Sequence, residues 1–191
     1  MQERSVIALV GMPGGGKSTA GRHLAKRLAW KFSDTDSLIE KRIGCSIRTF
    51  FETQGETRFR DIEASVIEDL TSTKNTVLAT GGGVVLRQHN RQALHSRCHV
   101  VYLHSTADDL YRRLRHDTSR PLLQVNDPQA RLRALYTERD PFYREVAHFV
   151  VDTGRPSVAS LVNMVLMQLE LAGLIDSSLI PSPVDSQKPS D

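Results

Sequence analysis

Cysteine is almost missing from these 191 residues, which hold only Cys45 and Cys98. Two cysteines at that spacing form neither a disulfide framework nor a metal-ligand pattern, so a reduced, cytoplasmic setting is expected. Long apolar runs are missing too: none approaches the roughly 18–20 residues that cross a bilayer. The first apolar stretch, Val6 to Val10, has neither the length nor the small-residue cleavage site of a signal peptide. Secreted, membrane and fibrous classes are therefore excluded. A net charge of +3 is too small to argue for nucleic acid. Lysine is scarce, with 6 Lys against 19 Arg. Planar, bidentate capture of phosphate or carboxylate favours Arg in this way, but high-GC codon usage enriches it as well. Position has to decide between them.

What is present has the α/β rhythm, short apolar runs alternating with helix-period segments in a chain of single-domain length. Strands are expected at Ser5–Val10, Lys31–Thr35, Thr76–Thr80, His99–His104 and Ala147–Asp152. Several of them are apolar without alternation, as in a parallel sheet covered on both faces. Ala20, Leu24 and Leu28 mark a helix after the first strand. Val158, Leu161, Val162, Val165, Leu166 and Leu169 mark the last one, with Pro156 at its first turn. The segment from 37 to 73 reads as helices inserted between the second and third strands. The stretch from His116 to Asp127 is polar, contains Pro121 and suits a mobile lid. From Leu174 to Asp191 the chain is rich in Ser, Pro and Asp and reads as a disordered tail, which leaves one domain over residues 1–173.

The run Gly11-Met-Pro-Gly14-Gly15-Gly16-Lys17-Ser18-Thr19 matches the phosphate-binding pattern G-x-x-x-x-G-K-[ST]. An apolar strand precedes it and an amphipathic helix follows. The glycines let successive N–H groups turn towards a β-phosphate, helped by the positive end of the helix. Lys17 then neutralises phosphate charge and the Ser18 hydroxyl reaches Mg²⁺. Nucleoside triphosphate binding is the expectation.

In many such proteins an apolar strand ends in a metal-assisting Asp. Here the third and fourth strands run out as Ala79-Thr80-Gly81 and Leu103-His104-Ser105, and a guanine-reading Asn-Lys-x-Asp is also missing. The nearest carboxylates are Asp34 and Asp36, at the end of the second strand. As alternate residues of a strand they can project to one side, one assisting the metal and the other taking a hydroxyl proton. They can equally form an Asp-rich turn that caps the next helix. Arg60 and Glu63 are i, i+3 neighbours, either a carboxylate orienting a guanidinium or a surface pair. Gly81-Gly82-Gly83 follows a strand at the end where open α/β sheets bind ligands; a plain loop is the alternative. From Leu110 to Arg144 there are eight Arg, no Lys and four acids. Arg120, before Pro121, is placed to close over phosphates. Arg139, before Asp140-Pro141, is read as ending a helix where it can meet a carboxylate. Arg112, Arg115, Arg131 and Arg133 read as solvated faces.

Taken jointly, these motifs resemble the shikimate kinase family from about Ser5 to Leu171. The phosphate loop, Asp34-Thr35-Asp36, Phe59-Arg60 with Glu63, the triple glycine, Arg120-Pro121-Leu122-Leu123 and Arg139-x-Pro-x-Tyr143 carry the resemblance. It implies a three-layer P-loop fold of nucleoside-monophosphate-kinase type, with a five-stranded parallel sheet, an inserted acceptor-binding region and a lid. It also implies ATP-dependent phosphorylation of the 3-hydroxyl of shikimate. On that basis Asp36 binds ring hydroxyls and acts as base, Lys17 and Arg120 assist the transfer, and Arg60 and Arg139 hold the carboxylate. Gly81, Gly82 and Gly83 contact the acceptor through backbone. Ser18 and Asp34 serve Mg²⁺, and Gly14, Gly15, Gly16, Lys17, Ser18, Thr19, Arg113, Arg120 and Arg155 serve ATP. A monomer without nucleic-acid or membrane partners is expected. The competing readings are a kinase of gluconate or of a nucleotide, and a non-enzymatic nucleotide-binding or nucleic-acid-binding module.

Overall fold

A computed structural model describes residues 5–116, 124–154, 157–176 and 178. Its sheet comprises β1 (Val6–Val10), β2 (Lys31–Asp34), β3 (Thr76–Ala79), β4 (His99–His104) and β5 (Phe149–Asp152). All neighbours pair in parallel, in the order β2-β3-β1-β4-β5. The helices are α1 (Lys17–Leu28), α2 (Thr35–Ile43), α3 (Ile47–Gln54), α4 (Glu56–Thr71), α5 (Gln88–Arg97), α6 (Ala107–Leu114), α7 (Pro128–Val146) and α8 (Val158–Leu171).

Both faces of the sheet are covered. Val6, Ala8 and Val10 pack with Val66 and Ile67 of α4 and Leu132 and Leu135 of α7. The alternate residues Ile7 and Leu9 pack with Leu24 of α1 and Val162 and Val165 of α8. That double burial is why β1 is apolar at every position. β1 lies at the centre, with Ala8 opposite both Leu78 of β3 and Val100 of β4. The chain leaves β1 towards β2 and β3 and later returns to its other side as β4. A reversal of this kind opens a crevice beyond the carboxyl ends of the strands.

Three sequence expectations need correction. Thr35 and Asp36 belong to α2 rather than to a strand, because Asp34 caps that helix by accepting from the Ser37 N–H at 3.2 Å. No helix ends at Arg139: α7 continues through Pro141 to Val146. Proline removes one helical N–H, but Asp140 is fixed by the Tyr102 hydroxyl (2.8 Å) and Arg144 Nε (2.9 Å), and Tyr143 and Val146 beyond it are buried. Leu174 and Ile175, assigned to the head of the expected tail, instead pack half-buried against the α1–α8 side of the core. Pro156, most of the lid and residues 179–191 lie outside the described residues.

Candidate active site

The loop between β1 and α1 sits at the crevice. Gly14 has φ +77, and Leu114, the last residue of α6, occupies the space where its Cβ would be, 2.6 Å away. A side chain is excluded there on both counts. Gly15 uses its N–H inside the loop, on the Met12 carbonyl at 3.1 Å. α1 has no side-chain cap at Gly16, so its first N–H groups are available to an anion. Lys17 is buried, with Nζ 2.8 Å from the carbonyl oxygens of both Gly11 and Met12. Gly14, Gly16, Lys17, Ser18 and Thr19 line a cavity of about 340 Å³, facing Asp34, Asp36, Thr80, Gly81 and Gly82.

The two aspartates divide. Asp34 accepts from the Ser18 hydroxyl at 2.5 Å, and its other oxygen caps α2. Asp36, two residues further on in the first turn of α2, lies against Gly81, where a Cβ would be 2.6 Å from Oδ1. Burial pushes the Asp36 carboxyl above the ordinary aspartate range and the nearby Asp34 charge adds to this, while Lys17 and Arg60 pull the other way. A carboxylate that holds its proton more readily than usual is a better base at neutral pH. The capping alternative holds at Asp34, which also accepts from the phosphate-loop serine.

Side chains approach the backbone closely at Gly81, Gly82 and Gly83. Asp36 lies on Gly81, Pro13 of the phosphate loop on Gly82 and the Arg60 guanidinium on Gly83. Arg60 donates from Nη1 to Glu63 at 2.8 Å and from Nη2 to Glu56 at 3.2 Å, and it lies over the Phe59 ring. Its side chain is 12% exposed and that of Glu63 only 1%, so this is no surface pair. Burial outweighs Arg60 and keeps the Glu63 carboxyl above its ordinary range. Arg139 of α7 comes close enough to act on Glu63 electrostatically. Its Nε is buried without a hydrogen-bond partner, which suits a donor aimed at an acid ligand.

Arg113 stands apart from this cavity. Nη2 donates to the Thr153 carbonyl at 2.5 Å and Nη1 reaches the Ser105 hydroxyl at 3.5 Å, at the carboxyl ends of β5 and β4. Arg120 and Arg155 lie outside the described residues. Two contributors escaped the sequence reading. Thr35 accepts the Gly81 N–H at 3.0 Å and so ties the glycine segment to the head of α2. The Tyr143 hydroxyl donates to the Gly82 carbonyl at 2.5 Å. Tyr143 is four residues after Arg139, a helical spacing that signals a shared face once Pro141 is allowed inside the helix.

Comparison with known proteins bears directly on this geometry. The family model for shikimate kinase matches residues 13–170. The chain is 56% identical over 173 residues to the shikimate kinase of Burkholderia thailandensis, covering 91% of this chain and 94% of that protein. It also resembles the structure of shikimate kinase from Acinetobacter baumannii in complex with shikimate. That likeness has a TM-score of 0.83 at 44% identity, covering 90% of this chain and 96% of the other. A gluconokinase from Sinorhizobium meliloti shares the fold alone, with a TM-score of 0.55 at 19% identity over 90% of this chain and 95% of that one. Among the described residues no helix is long and apolar enough to cross a membrane. Matched over most of its length, and with its phosphate loop facing Asp34 and Asp36 across one cavity, the chain belongs to the shikimate kinase family.

Proposed function

We propose the following division of labour for the ATP-dependent phosphorylation of the 3-hydroxyl of shikimate, the step this chain performs on the route to chorismate and aromatic amino acids. One observation carries it: Asp36, with its raised pKa, shares a single cavity with the phosphate loop. The loop N–H groups and Lys17 hold the β- and γ-phosphates of ATP. Asp36 binds the acceptor hydroxyl, orients it towards the γ-phosphate and takes its proton as the new O–P bond forms and the bond from the γ-phosphorus to the β–γ bridging oxygen breaks, with ADP as the leaving group. Arg60 and Arg139 bind the carboxylate. Glu63, almost wholly buried, holds Arg60 in the orientation this needs. An anionic acceptor suits the pair, since the Arg139 Nε is buried without a hydrogen-bond partner and such a group is costly.

The Ser18 hydroxyl and Asp34 carboxylate, 2.5 Å apart in the same cavity, are hard oxygen ligands that fit Mg²⁺. When bound, the ion neutralises charge on the phosphate oxygens. Mg²⁺ usually keeps several waters and is held by one or two protein oxygens together with phosphate oxygens. Arg113 and Arg155 flank the adenine and Arg120 closes over the phosphates. The region from 37 to 73 binds the acceptor, and the enzyme works as a cytoplasmic monomer.

Arg139→Ala tests the acceptor side. The carboxylate is remote from the reacting hydroxyl, so the loss appears in binding. The KM for shikimate rises roughly 10- to 100-fold, the scale of a charge-assisted hydrogen bond, and the KM for ATP is unchanged. Steady-state kinetics with each substrate varied in turn reads this out. An unchanged shikimate KM removes Arg139 from the role.

A further inference from the structure

Tyr143 is completely buried, and a buried phenol needs partners for its oxygen. The hydroxyl donates to the Gly82 carbonyl at 2.5 Å. Arg139 lies four residues earlier on the same helix, a spacing that puts it on the same face, and its charge opposes the upward effect of burial on the phenol's pKa. The ring packs on Tyr102 at 5.1 Å, and the Tyr102 hydroxyl is anchored on Asp140. On its other side Gly82 rests on Pro13, leaving a Cβ only 2.7 Å from the proline ring. The carbonyls that follow are held by α5. Asn90 Nδ2 donates to Val84 at 3.0 Å, and Arg91, lying over Phe142 of α7, donates to Val85 at 2.8 Å. One phenol oxygen therefore joins the helix that carries Arg139 to the glycine segment, and that segment abuts the phosphate loop.

We propose that Tyr143 is a positioning residue for the acceptor: by tying α7 to the Gly82 carbonyl it fixes Arg139 of that helix relative to Gly82, and so sets how far the bound carboxylate stands from the phosphate loop. This rests on Arg139 holding the carboxylate. Tyr143 touches neither substrate; it narrows the orientations Arg139 samples before shikimate arrives, which is preorganisation.

The test is a double-mutant cycle of Tyr143→Phe and Arg139→Ala, read as KM for shikimate, KM for ATP, kcat and melting temperature. Tyr143→Phe alone raises the shikimate KM about 3- to 10-fold, the scale of one neutral hydrogen bond, with the ATP KM unchanged. In the Arg139→Ala background the same substitution leaves the shikimate KM unmoved, because it acts through a group no longer there. The alcohol analogue of shikimate, lacking the carboxylate, is used equally well by wild type and Tyr143→Phe. Equal factors in both backgrounds, parallel rises in both KM values, or a lowered melting temperature with normal kinetics would overturn the proposal. A shikimate KM unchanged in Arg139→Ala itself overturns the Arg139 assignment instead.

Discussion

Asp36→Asn lowers turnover by about 10²- to 10⁴-fold, the range associated with losing a positioned general base, while ATP binds as in wild type. Asparagine keeps the shape and can still donate to a hydroxyl, but it cannot take the proton. The phosphate loop is separate from the change: Lys17 stays on the Gly11 and Met12 carbonyls, and Ser18 stays on Asp34. Rapid-quench turnover measured beside nucleotide affinity separates the two effects, and a near-wild-type kcat contradicts the base role. Asp36 must be ionised to act, and burial with the Asp34 charge raises its pKa. Activity of the wild type therefore starts to fall with decreasing pH while still above the ordinary aspartate value of 3.8.

Gly83→Ala weakens shikimate binding without touching the nucleotide site. Gly83 has φ −92, which any residue adopts, so backbone strain plays no part. The new Cβ lands 2.5 Å from Arg60 Nη1. Arg60 cannot swing aside without leaving Glu63, which is 1% exposed. Stranding a buried charge costs about 3–5 kcal/mol, although Glu63 can limit that cost by taking up a proton. The shikimate KM rises at least about 10-fold, as for loss of one charge-assisted contact, and the ATP KM holds. Without Arg60 beside it, the folded-state pKa of Glu63 climbs further above its unfolded value. The folded variant then gains protons more readily, so its stability deficit shrinks as pH falls. Melting curves at pH 5.5 and 8 show this as a smaller deficit at the lower pH. A wild-type shikimate KM together with an unaltered melting curve contradicts the account.

The sheet was legible because burial on both faces leaves strands such as Val6–Val10 apolar throughout, a pattern local to the chain. The phosphate loop was legible for a similar reason, since its chemistry is confined to consecutive residues. Asp34 and Asp36 were found, but through the wrong geometry. A strand end would project both one way, whereas the structure places one at a helix cap and the other in the first turn. The triple glycine signalled close approach, but not what approaches. Asp36, Pro13 and Arg60 are distant in sequence, and their arrival at Gly81, Gly82 and Gly83 is a product of tertiary packing. Tyr143 went without a role because Pro141 reads as a helix end, and only the burial of the following turn carries α7 through it. The arginine excess divides in the same way. Arg60 and Arg139 turn inward, while Arg133 pairs at the surface with Asp108.

The central claim is that this cavity selects a carboxylated ring alcohol as phosphoryl acceptor. Its most direct test is ADP release by the purified protein with ATP and Mg²⁺, offered shikimate, gluconate and nucleoside monophosphates in parallel. The account predicts rapid turnover with shikimate and background rates with the others. Turnover on gluconate or a nucleoside monophosphate that equals or exceeds the rate on shikimate would contradict it.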